Sequence, residues 1–157
     1  MQLADRKIAV IGMGKTGIAA AAFLGGSGAA VVAVDEKPRD QWGGEFEQIA
    51  HRPWLAVGRY DETCLDGVDL VVPSPGIPPR HPLLTAAQQK KIPILSEVEL
   101  ACRFIRVPII AVTAFAFASD EQKVLSSGFD GYMPKPINAR QLKTQVLDML
   151  RKRMTLI

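Results

Sequence analysis

Short apolar runs alternate with longer amphipathic stretches along the whole chain. Several of these runs are continuously apolar, which is typical of strands in a parallel sheet that is buried on both faces. The pattern predicts strands at residues 7–11, 30–34, 54–57, 70–72, 92–95, 108–112 and 131–133. It predicts helices between them at residues 16–25, 45–50, 81–90, 97–104, 119–127 and 138–153.

The regular alternation of strand and helix favours a doubly wound α/β fold with a mostly parallel sheet. We therefore expect three layers, αβα, of the Rossmann-like and flavodoxin-like kind. Right-handed crossovers allow all strands to join one sheet. With 157 residues, 48% of them hydrophobic, the chain is long enough for a full core, and we expect a single domain over residues 1–157.

The charge of the chain argues against nucleic acid as a partner. The formal net charge is only +3, and the densest basic cluster, at residues 151–153, ends a predicted helix, where positive charge also suits the helix dipole. No apolar run reaches the roughly 20 residues of a membrane span, and residues 1–7 lack the apolar core of a signal peptide. We expect a cytoplasmic location and no membrane partner.

Metal and redox chemistry find little support in the sequence. Cys64 and Cys102 lie far apart, without CxxC spacing or nearby histidines, so we expect two reduced thiols and no metal site. His81 is interpreted as a loop or cap residue. Trp42 and Trp54 are interpreted as packing anchors.

A glycine-rich loop, Gly12-Met13-Gly14-Lys15-Thr16-Gly17, directly follows the first predicted strand and opens the first predicted helix. In this context the glycines allow a tight turn, and the helix N-terminus offers unpaired N–H groups to an anion. Asp35 ends the second strand, where a carboxylate accepts hydrogen bonds from a ribose or base. The alternative is that Gly14 and Gly17 only allow the helix to pack on the sheet and that Asp35 only caps a loop.

A second loop, Ser74-Pro75-Gly76-Ile77-Pro78, follows the fourth predicted strand. Ligands of doubly wound sheets bind at the carboxyl ends of the strands. Both loops belong to that edge, so the two together could hold one ligand.

Four segments resemble the N-terminal domain of the UDP-N-acetylmuramoyl-alanine:D-glutamate ligase (MurD) family, an enzyme family of peptidoglycan synthesis. They are VIGMGKTG, VDEKP, DLVVPSPGIPPRHPLL and KIPILSEVELACR. The resemblance covers about residues 1–107 and implies that this part binds the UDP end of a UDP-muramoyl-peptide. It implies a pyrophosphate near Gly14, Lys15, Thr16 and Gly17, a uracil or ribose near Asp35, and closure over the nucleotide by Ser74, Pro75 and Gly76.

The sequence departs from that family after the segment VPIIAVT at residues 107–113. The family continues into a loop with glycine and lysine that cradles ATP phosphates, whereas this chain continues with AFAFAS. We therefore expect no ligase activity and no enzyme. Whether Phe115 and Phe117 are buried or exposed is left open by the sequence.

Residues 108–153 resemble the second half of a response-regulator receiver domain of the CheY-like kind, through AVTAFAFASDEQKVLSSGFDGYMPKPINARQL. The resemblance implies a βαβα part in which Thr113 contacts a phosphoryl oxygen, Lys135 pairs with it and Tyr132 is the switching aromatic. It also implies a cis peptide between Lys135 and Pro136. The acidic pair and the phosphoacceptor aspartate of a receiver are absent from the matching positions, so these residues are interpreted as structural remnants.

Two families that meet at a shared strand indicate an engineered chimera, since the alternative, a natural gene fusion, usually appends whole domains. We expect no complete active site, no cofactor and no protein partner. The alternative hypothesis is a binding module that retains affinity for UDP or UDP-muramoyl-alanine. An enzyme or a phosphosignalling protein is disfavoured, because each resemblance lacks groups essential to its chemistry.

Overall fold

A computed structural model describes residues 2–105, 107–114 and 118–154. Contacts divide the chain into two compact units, Met1–Val98 and Glu99–Ile157. This boundary precedes the expected one after residue 107. The single domain over residues 1–157 stays a prediction.

The first unit contains a parallel sheet with the strand order β3-β2-β1-β4. Its strands are β1 (Lys7–Ile11), β2 (Ala30–Val34), β3 (Leu55–Val57) and β4 (Leu70–Pro73). Ile11 is opposite Val34 on one side and Pro73 on the other, so β1, β2 and β4 end at the same level. The loops that follow these strands therefore emerge side by side.

Helices cover both faces of this sheet, as the alternation predicts. Ala9, Ile11 and other buried residues of one face pack with Leu83, Leu84 and Ala87 of α2 (Pro82–Gln89). By strand alternation the buried Ile8 and Val10 lie on the opposite face, which contacts α1 (Lys15–Gly26). The three-layer αβα fold is thus confirmed for this unit.

Two predicted elements of the first unit have another form. Residues 45–50 do not form an α-helix; a 3-10 helix spans Gly44–Gln48, because a short segment preceded by two glycines is too brief to nucleate an α-helix. Residues 92–95 form only an isolated bridge between Val71 and Ile94. Pro93 accepts from Val71 but has no N–H to donate, which limits the ladder.

The second unit has the expected βαβα order after α3 (Glu97–Phe104). It contains β5 (Ile110–Thr113), α4 (Ala118–Ser126), β6 (Gly131–Pro134) and α5 (Ala139–Met154). β5 and β6 pair in parallel as a separate two-stranded sheet, so the expectation that all strands join one sheet is wrong for the described strands. The Lys135–Pro136 peptide is cis, as expected. Phe115 and Phe117 lie outside the described residues.

Both tryptophans serve packing, as expected. Trp42 is 9% exposed, lies edge-on to Phe46 with ring centroids 4.6 Å apart, and donates its indole N–H to the Lys37 carbonyl. The ring of Trp54 lies so close to Gly25 of α1 that a Cβ at that position would overlap it.

Adjacent glycines at the end of α1 provide a matched test of this contact. We expect Gly25→Ala to lower the free energy of unfolding by about 1–3 kcal/mol, because the methyl group must displace the Trp54 ring. Gly26 faces open space, so Gly26→Ala is expected to be neutral or to stabilise by up to about 1 kcal/mol. Urea denaturation measures both variants, and equal effects would contradict the packing role of Trp54.

Candidate functional site

The glycine loop begins as an extension of the sheet. Gly12 donates its N–H to the Val34 carbonyl at 2.7 Å and has φ +92°, a conformation that favours glycine. A Cβ on Gly12 would lie 2.9 Å from the Ser74 Cβ. Gly12 thus turns the chain and brings the loop after β1 against the loop after β4.

The other two glycines of the loop have different roles. A Cβ on Gly17 would overlap the Gly12 carbonyl oxygen, so Gly17 allows the first turn of α1 to lie directly against the loop. A Cβ on Gly14 would meet nothing within 4 Å. Packing therefore explains Gly12 and Gly17, whereas Gly14 borders open space at the N-terminus of α1.

The N-terminus of α1 has the chemistry of an anion site. Gly14 is its N-cap residue, no side chain caps it, and its first turn contains no acidic residue. The first N–H groups of a helix lack intrahelical partners, and the helix dipole adds partial positive charge there. Lys15 and Thr16 are exposed at this position. A phosphate group is the kind of ligand that such an end accommodates.

Asp35 forms a hydrogen bond to the glycine loop. One carboxylate oxygen accepts a hydrogen bond from Met13 N, and the other accepts one from Lys37 N at 2.8 Å. These are the contacts of a loop cap, the alternative that the sequence left open. A contact between Asp35 and a nucleoside stays a prediction.

The loop after β4 meets the glycine loop through hydroxyl groups. Ser74 donates its N–H to the Ile11 carbonyl at 2.8 Å, and its Oγ lies 2.9 Å from Thr16 Oγ1. Pro75 and Gly76 are exposed beyond this contact. The structure therefore brings together the two loops that the sequence assigned to one edge.

Sequence reasoning missed a hydrogen-bonded pair close to this edge. Tyr60 Oη lies 2.6 Å from His81 Nε2, and His81 Nδ1 accepts a hydrogen bond from Leu83 N at 3.2 Å. His81 is 8% exposed and is the N-cap of α2, as its position before a helix suggested. Burial raises the pKa of the Tyr60 hydroxyl, and the charges of Glu36 and Asp35 raise it further. The only sequence signal for this pair was the His-Pro dipeptide at the helix start.

The receiver-like residues come together in part. Lys135 donates its N–H to the Thr113 carbonyl at 2.7 Å, and the Tyr132 carbonyl accepts from Gln145 Nε2 at 3.2 Å.

Within the described ranges, no group of three or more His, Cys, Asp and Glu side chains is placed to hold a metal ion. No described helix is long and apolar enough to cross a membrane.

The two thiols lie in environments that disfavour the thiolate. Burial raises the pKa of Cys64 to about 11, and it also raises the pKa of Cys102. Each thiol is therefore protonated near neutral pH and is a poor nucleophile.

Substitutions in the glycine loop distinguish a glycine that packing requires from a glycine that borders space for a ligand. We expect Gly17→Ala to destabilise the protein by about 3 kcal/mol or more, because its methyl group must displace a backbone carbonyl. Gly14→Ala leaves the packing intact and is expected to cost about 1 kcal/mol or less as a change of N-cap. Thermal or urea denaturation compares the two variants, and a Gly17→Ala protein as stable as the Gly14→Ala protein would contradict these roles.

Comparison with known proteins assigns the first unit. A family model described as Mur ligase MurD-like, N-terminal domain, matches residues 6–96, more than half of the chain. The UDP-N-acetylmuramoylalanine--D-glutamate ligase of Syntrophus aciditrophicus is 43% identical over 115 residues, which cover 72% of this chain and 25% of the relative. The same ligase of Trichlorobacter lovleyi is 39% identical over 114 residues, which cover 72% of this chain and 26% of the relative.

A solved structure supports the fold. UDP-N-acetylmuramate:L-alanyl-gamma-D-glutamyl-meso-diaminopimelate ligase from Neisseria meningitides matches with a TM-score of 0.53 and 18% identity over 77% of this chain and 38% of that one. The chain spans about a quarter of the length of the curated relatives it matches. By the family model and these relatives, the chain belongs to the Mur ligase MurD-like N-terminal domain family.

Proposed function

We propose that the unit Met1–Val98 binds the UDP end of a UDP-muramoyl-type ligand at the carboxyl edge of its sheet. The observation that carries this proposal is the uncapped N-terminus of α1, where Gly14 leaves open space beside the paired hydroxyls of Thr16 and Ser74. The matched relatives are named for UDP-N-acetylmuramoylalanine as a substrate.

The chemistry of the edge suggests a division of roles. The pyrophosphate accepts hydrogen bonds from the first N–H groups of α1 and is attracted by the exposed Lys15 ammonium group. Of the Thr16 and Ser74 hydroxyls, one donates to the other, so one hydrogen stays free for a phosphate oxygen. In this proposal Asp35, next to the glycine loop, accepts a hydrogen bond from the nucleoside.

The same proposal includes the absence of ligase activity from this chain. The six residues directly after Thr113, AFAFAS, contain neither the glycine nor the lysine that such a loop needs to cradle ATP phosphates. Since the matched region amounts to about a quarter of each relative, the proposed contribution of this chain is binding of one substrate.

We also propose that residues 108–153 come from a receiver-like domain, so that the chain is an engineered chimera. Two observations support this. The family model ends at residue 96, and the described residues beyond it form two parallel strands that alternate with helices, as the receiver resemblance implies.

Treatment with acetyl phosphate and Mg²⁺ tests whether this receiver-like part has kept phosphorylation chemistry. We expect no aspartyl phosphate, because the matching acidic positions are occupied by other residues. Mass spectrometry of the intact protein measures the outcome, and a stoichiometric mass increase that hydroxylamine removes would contradict the expected loss of phosphorylation chemistry.

A titration with UDP tests nucleotide binding. We expect a dissociation constant in the millimolar range, about −4 kcal/mol, because only part of the relatives' length is present. Gly14→Ala is expected to weaken binding about tenfold or more, since its methyl group enters the space through which phosphate approaches the backbone.

Gly44→Ala is the matched control, because Gly44 also faces open space but belongs to the 3-10 helix Gly44–Gln48 and not to the glycine loop. Calorimetry at high UDP concentration measures all three proteins. No heat of binding with the unmodified chain, or equal affinities for the two variants, would contradict the proposed site.

A further inference from the structure

The hydrogen bonds of His81 determine which of its ring nitrogens carries a proton. Nδ1 accepts a hydrogen bond from Leu83 N, so Nδ1 has a free lone pair and no proton. Pro82 has no N–H, which makes Leu83 the first residue of α2 able to donate to a cap. The buried ring is therefore the neutral tautomer with its hydrogen on Nε2.

This tautomer fixes the direction of the bond between His81 and Tyr60. Nε2–H donates, and the Tyr60 hydroxyl oxygen accepts, across 2.6 Å. The reverse direction would require a proton on Nδ1, opposite the N–H of Leu83. The phenolic hydrogen of Tyr60 is therefore not used by His81, and in the described part of the chain the hydroxyl has no other hydrogen-bond partner.

Tyr60 also lies close to the candidate site. It follows β3, the strand next to β2, and is 42% exposed. Its hydroxyl experiences the negative charges of Asp35 and Glu36, the two residues that follow β2. Asp35 in turn holds Met13 of the glycine loop. The hydroxyl is thus within the electrostatic influence of Asp35, the residue proposed to meet the nucleoside.

We infer that Tyr60 contacts the ligand, donating its hydroxyl hydrogen to an acceptor oxygen on the base or ribose of a uridine nucleotide, with His81 as the positioning residue. This inference rests on the proposed binding of UDP. His81 orients the hydroxyl by occupying its oxygen lone pair, and α2 holds His81 through Leu83. Through this pair of residues, the segments that follow β3 and β4 both contribute to binding of the same ligand.

The test compares UDP with inorganic pyrophosphate on the full chain. We expect Tyr60→Phe to weaken UDP binding roughly three- to tenfold, the range for one lost hydrogen bond, and to leave pyrophosphate binding unchanged. Tyr132→Phe, which alters the only other tyrosine, is expected to change neither affinity. Equal weakening of UDP and pyrophosphate by Tyr60→Phe would show a loop-supporting role and overturn the inference.

A second variant examines His81. Asparagine retains a side-chain oxygen that can cap α2 but is too short to reach Tyr60, so His81→Asn is expected to weaken UDP binding and to have no further effect in the Tyr60→Phe protein. Fully additive effects of the two substitutions would contradict a positioning role.

Direct observation of the ring is independent of ligand binding. In ¹⁵N NMR spectra of the free protein we expect His81 to show an unprotonated Nδ1 and a protonated Nε2. A proton on Nδ1 would overturn the inference even if UDP binds. If the unmodified chain binds neither UDP nor pyrophosphate, both the proposed function and this inference fail. If the chain binds UDP and Tyr60→Phe leaves that affinity unchanged, only the role of Tyr60 is refuted.

Discussion

The close approach of α1 to the loop that precedes it is the constraint on which the candidate site depends. Gly17 has no Cβ, so the first turn of the helix lies against the Gly12 carbonyl. That contact holds the N-terminus of α1 close to the edge where β1, β2 and β4 end together. Any side chain at Gly17 would move the helix end, and with it the N–H groups proposed to bind phosphate.

Hydrogen bonds around this contact maintain the conformation of the loops at the carboxyl edge of the sheet without a ligand. Gly12 extends the pairing of β1 with β2, Ser74 extends the pairing with β4, and Asp35 holds Met13 between them. A site that is already formed in the free protein loses less conformational entropy on binding. Gly14 fits this arrangement, because it is the glycine of the loop whose missing side chain leaves open space.

Sequence patterns predicted the strands that form the core of the first unit, because continuous apolar runs are required wherever both faces of a sheet are buried. The glycine spacing and Ser74 located the edge for the same physical reason, since parallel strands end on one side. The strand at residues 92–95 was predicted wrongly because Pro93 supplies the right hydropathy but no N–H to donate. The separate pairing of β5 with β6 was also missed, since strand hydropathy does not specify the partner strand.

Tyr60 and His81 show a different limit of sequence reasoning. They are 21 positions apart, and their contact depends on the path of the loop after β4 to the start of α2. The pattern of apolar and polar residues does not indicate the path of a loop. Their hydrogen bonds became interpretable only when the partner of each ring nitrogen was known, because His81 is both a helix cap and a donor to Tyr60.

A ¹H–¹⁵N NMR titration with UDP shows whether the carboxyl edge of the first unit is a nucleotide site. We expect a dispersed spectrum in which UDP shifts the amide signals of residues 12–17, Asp35 and residues 74–76 and leaves those of β5 and β6 unchanged. A dispersed spectrum that UDP leaves unchanged, or one in which the shifts fall on the second unit, would contradict a nucleotide site at this edge.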